Sequence, residues 1–380
     1  MNDTSHKGLL PNGLADTLPV EAAFEANTTA CLLKTFDSYG YQRVKPPIVE
    51  FEESLLDGPG QAGASDMFRL MDPVSQRMMG VRSDITPQVA RIAVTRLANA
   101  PRPLRLSYAG QVLRVRGSQL RPERQFSQIG IELIGATELA ADAEVVSLAG
   151  DALTGLGIEG LSIDLNLPTL VPLVCQELGM GGADADRARM ALDRKDAAAV
   201  AAFDGQAGPM LSEMLAAAGP AASALAKLQA CALPVAAAAQ VAELAQVVAL
   251  INAAAPNLTL TVDATEFRGL EYQSGICFTI FARNVRGELG RGGRYKLASG
   301  EMATGFSLFG DSLMRARGAP PRGKTIFLPH GTSPEQAAKT RADGWSTLQG
   351  FSVVDDVRAE AIRQECTHFL DGSEVKPASS

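Results

Sequence analysis

Residues Arg105–Gly135, RLSYAGQVLRVRGSQLRPERQFSQIGIELIG, form two strand-like runs joined by a loop that carries Arg116, Arg121 and Arg124. Successive strand residues point to opposite sides. Gln128, Gly130 and Glu132 therefore share one face, while Ser127, Ile129, Ile131 and Leu133 share the other. The second, more apolar set suits packing against helices. On the preceding run Tyr108, Gly110, Val112, Arg114 and Arg116 line up in the same way. A face that interleaves Gln, Glu and Arg with glycine offers both signs of charge, and its glycines admit a ligand close to the backbone. The expectation is a site for a small zwitterion.

The chain has 380 residues, 46% of them hydrophobic, which is ample for two domains and a sizeable core. Its net charge of −7, with no long basic run, argues against a surface built to hold a whole tRNA. Five cysteines (Cys31, Cys175, Cys231, Cys277, Cys366) and three histidines (His6, His330, His368) are scattered singly. No zinc-ligand spacing or disulfide framework emerges, so no metal or cofactor is expected and the thiols read as reduced and structural. The N-terminus lacks an apolar signal core, and the Ala-rich stretches are broken by Pro, Gly and charged residues. These features predict a soluble cytoplasmic chain with no membrane span.

Working outward, the sequence predicts a helix over Ala22–Tyr39 ended by Gly40, then an extended Tyr41–Glu50 with Pro47 at a strand edge. Met67–Leu70 and Met78–Arg82 read as a hairpin turning through Asp72–Ser75. Pro87 is placed to open a helix over Gln88–Ala98. Ala143–Gly155 reads as a helix, Leu161–Leu167 as a strand and Pro168–Gly179 as a further helix. Residues 181–254 are alanine-dense and are divided by Gly205, Gly208-Pro209, Gly219-Pro220 and Pro234, which predicts compact helices. Strands follow at Leu258–Val262 and Gly275–Phe281, then a tight turn at Gly292–Tyr295, and a helix over Leu308–Met314. A linker at 317–323 separates the core, 1–316, from a small C-terminal α/β segment, 324–380. That segment opens with a strand at Thr325–Leu328 and a helix whose Ser333 and Gln336 fit a capping box.

The Arg105–Gly135 hairpin resembles motif 2 of the class II aminoacyl-tRNA synthetases, most closely histidyl-tRNA synthetase. The resemblance runs from about Leu10 to Ala316. Tyr41–Glu50 with Pro47 is similar to motif 1, which forms the dimer interface in that family. Thr304–Leu308 is similar to motif 3, Gly292–Tyr295, which taken alone is only a tight turn, matches a backbone element under the ligand, and the C-terminal segment resembles a truncated anticodon-binding domain. The implied fold is α+β, an antiparallel sheet flanked by helices with a helical insertion. For the amino acid, the resemblance implies that Asp84 and Thr86 hold the α-amino group and that Gln128 and Glu132 contact the α-amino group and the imidazole. It places Arg268 near the carboxylate and Tyr272 and Gln273 beside the ring, Gln273 standing where the family has a second tyrosine. Each residue alone has an equally good structural role. Asp84 or Thr86 could be a helix cap, Arg268 an interstrand partner, and Glu132 the buried counter-charge of Arg114 or Arg116.

The ATP half departs from the family pattern. Arg114 matches the arginine that bridges carboxylate and α-phosphate. The motif 3 arginine falls on Ser312, which has no charge to clamp a triphosphate. Arg116 stands where the family has a glutamate near the adenine. The loop cations Arg116, Arg121 and Arg124 read either as an anion or partner contact or as a solvated run. In family terms the chain is similar to the regulatory subunits of ATP phosphoribosyltransferase. That resemblance implies a non-catalytic protein that activates a short-form catalytic subunit in the first step of histidine biosynthesis and makes it sensitive to L-histidine. The implied assembly is a homodimer within a hetero-octamer. The competing readings are a histidyl-tRNA synthetase or other amino-acid-activating enzyme, and a synthetase-like module for another amino acid or a protein target.

Overall fold

The computed structural model of the chain describes residues 8–57, 60, 63–118, 121–266, 273–320 and 323–379. They fall into two compact units, Met1–Gly318 and Ala319–Ser380.

The larger unit carries strands β1 (Gln42–Arg43), β2 (Val49–Phe51), β3 (Phe68–Met71), β4 (Met78–Val81), β5 (Leu104–Leu113) and β6 (Gln125–Ile134) in its first half. Its second half adds β7 (Leu161–Asn166), β8 (Gly219–Pro220), β9 (Thr259–Val262), β10 (Gln273–Ala282), β11 (Gly290–Lys296) and β12 (Met302–Phe309). Nine of these make one sheet in the order β1-β5-β6-β12-β11-β10-β7-β9-β8, and β2-β4-β3 make a small antiparallel sheet. The run from β5 to β7 is antiparallel throughout.

Register fixes which side chains share a face. Gly110 lies opposite Gln128 and Tyr108 opposite Gly130, while Gly305 lies opposite Glu132 and Ser307 opposite Gly130. Gly293 pairs with Gly305 and Arg291 with Ser307. The intervening residues Ile129, Ile131, Leu133, Phe306, Leu308, Phe278 and Ile280 all point the other way into the main core. That core is closed by α1 (Pro19–Ser38) and, beyond α2 (Glu52–Leu55) and α3 (Thr86–Val94), by α4 (Leu139–Gly155) and α5 (Leu170–Glu177). Phe36 of α1 meets Phe306 edge to face at 5.6 Å. On the opposite face α3 packs Ile85, Val89 and Ala93 over Tyr108, Val112, Phe126 and Phe309.

The alanine-dense region folds into α6 (Ala183–Asp193), α7 (Ala197–Ala201), α8 (Ala207–Ala216), α9 (Ala221–Ala230) and α10 (Val235–Ala254). From the predicted break at Pro234, α10 runs twenty residues and, against the expectation of no run able to span a bilayer, is long and apolar enough, by length and composition, to cross a membrane. Its buried residues Ala237, Val241, Leu244, Val248 and Ile251 recur at helical spacing and join the main core, as an amphipathic core helix requires. Glu243 on the same helix is exposed.

Several boundaries differ from the sequence reading, among them the start of α4 at Leu139 rather than Ala143. The first helix begins at Pro19, which occupies its first turn. The α3 helix ends at Val94, because the Arg102 guanidinium takes the carbonyls of Ala93, Leu97 and Ala100 that a longer helix would use. Strand β12 continues to Phe309, whose N–H donates to Leu289 O at 2.9 Å, so α11 (Gly310–Arg317) starts two residues later than expected. Gly292–Tyr295 is strand interior, not a tight turn: its backbone pairs with both β10 and β12.

The smaller unit has a sheet in the order β14 (Ser346–Gln349), β13 (Thr325–Leu328), β15 (His368–Asp371), β16 (Glu374–Pro377), with helices α12 (Pro334–Ala342) and α13 (Val357–Arg363). Ser333 caps α12 through the Gln336 N–H at 3.2 Å. The Gln336 side chain bonds Gly372 O at 2.7 Å rather than closing a capping box.

Two ion pairs join the main sheet to α4, Arg105–Glu144 from β5 and the more deeply buried Arg294–Asp142 from β11. Arg294 of β11 is buried, donates to both oxygens of Asp142 at 2.7–3.1 Å, and also caps Ala136 O and Glu138 O. Burial pushes the Asp142 carboxyl up, and the guanidinium opposes it. Removing one partner strands the other. Asp142→Ala is expected to cost about 3–5 kcal/mol in urea denaturation, whereas Asp142→Leu with Arg294→Met should recover most of that. A single-mutant cost near zero would show the pair to be incidental.

Candidate functional site

The polar face of the sheet ends in a cavity of about 270 Å³. Gln128 and Glu132 of β6, Gly305 and Ser307 of β12, Arg291, Gly293 and Tyr295 of β11, and Gln273 of β10 line it. Ser83, Asp84 and Thr86, Gly63 and Asp66, and Arg114 complete its wall. At that size it lies just under the ~300–1,000 Å³ of ordinary ligand pockets and suits a single amino acid.

Glu132 is the deepest charged group, 1% exposed. Tyr295 OH donates to its Oε2 at 2.9 Å and Tyr108 OH to its Oε1 at 3.3 Å, and the Thr86 hydroxyl is a third donor. Among the described residues no cation pairs with it, so the reading of Glu132 as counter-charge to Arg114 or Arg116 does not hold. Burial pushes its pKa up to about 8, against the three hydroxyl donors that favour the ionised form. Two glycines make this floor possible. A β-carbon on Gly305 would stand 2.1 Å from Glu132 Oε2, and one on Gly130 would stand 2.5 Å from Tyr108 OH.

Asp84 is held at the rim. Gln128 Nε2 donates to its Oδ1 at 2.8 Å, and the Thr86 N–H donates to the same oxygen at 2.9 Å. Gln128 also donates to Ser307 Oγ at 2.7 Å and accepts from the Ile85 N–H at 2.8 Å. Gln128 therefore orients Asp84 as well as lining the cavity. Thr86 and Pro87 sit in the first turn of α3, and Asp84 lies two residues before it. The cap and the pocket wall are the same short segment. Gln273 is buried, its Nε2 donates to Gly292 O at 3.4 Å, and among the described residues its Oε1 has no hydrogen-bond partner. Arg268 and Tyr272 lie outside the described residues.

A second cavity, about 380 Å³, adjoins the first and shares Asp66, Arg114 and Arg291 with it. Ser312, Arg116, Arg121, Glu266, Glu288 and Arg315 are among its lining. The three loop arginines part company here. Arg121 turns inward, 9% exposed, stacks over Phe309 at 3.8 Å, and faces Asp311 at 3.3 Å and Glu288 at 3.7 Å. Burial lowers its pKa while the two carboxylates oppose that shift. Arg124 donates to Arg114 O and Asn12 O, bracing the base of the hairpin. Arg116 is exposed at the rim. Ser312 is buried and accepts from Arg315, which is also held by Asp311 and Glu123.

Asp84, Thr86, Arg114, Gln128, Glu132 and Gln273 thus line one cavity. Asp66, Ser83 and Arg291 were missed. Strand alternation through Arg291, Gly293 and Tyr295 carried the signal for Arg291, and the doubled glycine concealed it. Among the described residues no group of three or more His, Cys, Asp or Glu side chains is placed to hold a metal ion.

The histidyl-tRNA synthetase family model matches residues 13–313. A Rhodospirillum centenum protein named ATP phosphoribosyltransferase regulatory subunit is 56% identical over 97% of this chain and 96% of its own length. The fold is similar to that of a Bacillus halodurans protein described as an ATP phosphoribosyltransferase regulatory subunit/histidyl-tRNA synthetase, with a TM-score of 0.82, 24% identity, and 93% and 96% of the two chains covered. It is also similar to a chain of an ATP phosphoribosyl transferase complex from Thermotoga maritima, with a TM-score of 0.60, 17% identity, and 75% and 97% covered.

The buried carboxyl has a pH signature. An unfolded glutamate ionises near 4.5, whereas folded Glu132 holds its proton to about 8. Its stabilising contribution is therefore full below the lower value and is lost as pH rises through the higher one. Between about pH 5 and 8 the unfolding free energy should fall by a few kcal/mol more in the parent than in Glu132→Gln. Equal slopes in denaturant titrations of the two proteins would place the proton elsewhere.

Proposed function

Because the chain belongs to the ATP phosphoribosyltransferase regulatory subunits, a histidyl-tRNA synthetase-like family, we propose that it activates a short-form catalytic subunit and makes that enzyme sensitive to L-histidine. One contrast carries the reading: in the amino-acid cavity the buried Glu132 is met by neutral hydroxyls and Gln273 keeps an acceptor, while in the adjoining cavity of about 380 Å³ the lining Arg121 is already paired with carboxylates.

In this reading Asp84 and Thr86 take the α-amino group, and Gln128 holds Asp84 in place. Glu132 and the Gln273 Oε1 meet the imidazole nitrogens, and Arg268 meets the carboxylate, with Tyr272 beside the ring. Arg114 stands between the two cavities and closes the carboxylate end. Adenylation would need a cation against the distal phosphates. Ser312 lacks one, and Arg315 on the same helix is tied to Glu123 and Asp311. Arg121, whose loop lies on the ATP side, is itself paired. These features support a binding role without catalysis and without tRNA.

Inhibition requires histidine to bind two states of the complex with different affinity, which sets a coupling free energy between the effector site and the partner's active site. A homodimer through the motif 1 region fits the exposed Ile48, Leu70, Met71, Val74 and Met78 on and beside the β2-β4-β3 sheet. The hetero-octamer completes the proposed assembly. The reading locates the chain in the cytoplasm, where its five thiols would stay reduced.

The test is phosphoribosyl-ATP formation by a short-form catalytic subunit, with and without this chain, titrated with histidine. Expected is stimulation that histidine reverses. Glu132→Ala should keep the stimulation while shifting the histidine response by roughly tenfold or more, about 1.4 kcal/mol. Histidine-dependent exchange of pyrophosphate into ATP, with no stimulation of a folded cognate partner, would reverse the assignment toward an amino-acid-activating enzyme.

A further inference from the structure

The hydrogen bonds around Ser307 run in one direction, and a backbone donor sets it. The Ile85 N–H can only donate, so its bond to Gln128 Oε1 at 2.8 Å fixes which end of that amide faces it. Both protons of Gln128 Nε2 are then committed, one to Asp84 Oδ1 at 2.8 Å and one to Ser307 Oγ at 2.7 Å. Ser307 Oγ is thereby an acceptor, and its own proton lies toward Tyr108 OH, 2.8 Å away. Tyr108 is fully buried, and of the acceptors beside its hydroxyl Glu132 Oε1 at 3.3 Å is nearer than Phe306 O at 3.5 Å. The reverse order would take a donor from a buried carboxylate and turn the Ser307 proton toward the cavity. The chain therefore runs from Gln128 through Ser307 and Tyr108 to Glu132.

Sheet register places these groups. Ser307 of β12 and Tyr108 of β5 both lie opposite Gly130 of β6, one from each side. A β-carbon on Gly130 would stand 2.5 Å from Tyr108 OH, so the two hydroxyls meet across a gap that glycine keeps open. Ser307 is 9% exposed and lines the first cavity together with Gln128 and Glu132.

A carboxylate supplied with donors offers a ligand only an acceptor. A ring that brings an N–H completes it, and a ring of the same shape without one leaves it short of a partner. Without the Ser307 hydroxyl, the Tyr108 hydroxyl loses the donor that commits its proton to Glu132, and a protonated Glu132 can then donate in its turn.

We infer that Ser307 is a positioning residue that sets the specificity of the effector cavity: through Tyr108 it keeps Glu132 an acceptor, so that the site selects a ring N–H. This rests on the reading of that cavity as an L-histidine site.

The experiment is titration calorimetry of the full chain with L-histidine and with β-(4-thiazolyl)-L-alanine, whose five-membered ring carries no N–H, alongside thermal melting. The parent should favour histidine by roughly tenfold or more. Ser307→Ala should reduce that preference by roughly fivefold, chiefly by weakening histidine, and Tyr108→Phe should reduce it to a similar extent. Adding Ser307→Ala to Tyr108→Phe should change the preference by less than about twofold, because the two residues act in one chain. A preference left at the parent value in either single variant overturns the assignment, even where both affinities fall together with the melting temperature. So does a full Ser307→Ala effect in the Tyr108→Phe background, and both results leave the histidine site standing. A folded parent that takes up no histidine overturns the site as well.

Discussion

Placing a carboxyl group at the bottom of a sheet, with no cation among the described residues beside it, is the constraint around which the larger unit is organised. Glu132 can lie there only because Tyr295, Tyr108 and Thr86 bring three hydroxyls to it. Each comes from a different element, so β6, β11, β5 and the start of α3 must hold a common register. The same demand fixes Gly130 and Gly305, since a β-carbon at either would occupy the space of the acceptor or of a donor. Ser307 and Gln128 continue the network to Asp84. A ligand that brings an N–H to Glu132 would complete this set of donors, and one without it would leave a buried carboxyl short of a partner.

The sheet separates two requirements between its faces. Ile129, Ile131, Leu133, Phe306 and Leu308 bury against α1 and α4 and supply the apolar burial that holds the unit together. This lets the opposite face carry acidic and amide groups. Along that polar face the two cavities differ in kind. In the first, Gln273 keeps an acceptor without a partner among the described residues, and Glu132 is satisfied by neutral hydroxyls. In the second, Arg121, Arg315, Glu123, Glu288 and Asp311 are paired with one another. An incoming anion would compete with those pairs for Arg121 and Arg315, while Arg116 stands exposed at the rim.

Much of this was legible from periodicity. The alternation of Gln128, Gly130 and Glu132 against Ile129, Ile131 and Leu133 gave both faces of β6, and the end of α4 at Gly155 and the strand Leu161–Leu167 were read close to their observed bounds. Failures came where a local signal competed with pairing across the sheet. Two adjacent glycines look like a turn, yet Gly292 and Gly293 are strand residues because β10 and β12 satisfy their backbone on both sides. Phe309 looks helical in sequence and is strand because Gln128 lies opposite it. The inward turn of Arg121 was not legible at all. It depends on Phe309, Glu288 and Asp311, residues distant in sequence that meet only once the sheet is formed.

The insertion shows the limit of composition as a guide. Alanine-rich helices bury little area per residue, and their sequence carries no obvious chemistry, so they read as filler. They are tied to the sheet by the packing of α9 and α10 into the main core and, just past the end of α6, by the Lys195–Asp263 ion pair. Neither link is legible in an alanine-dense run, where buried and exposed faces differ little in hydrophobicity. The directional ionic contact adds to the apolar packing an orientation that burial of alanine alone leaves loose.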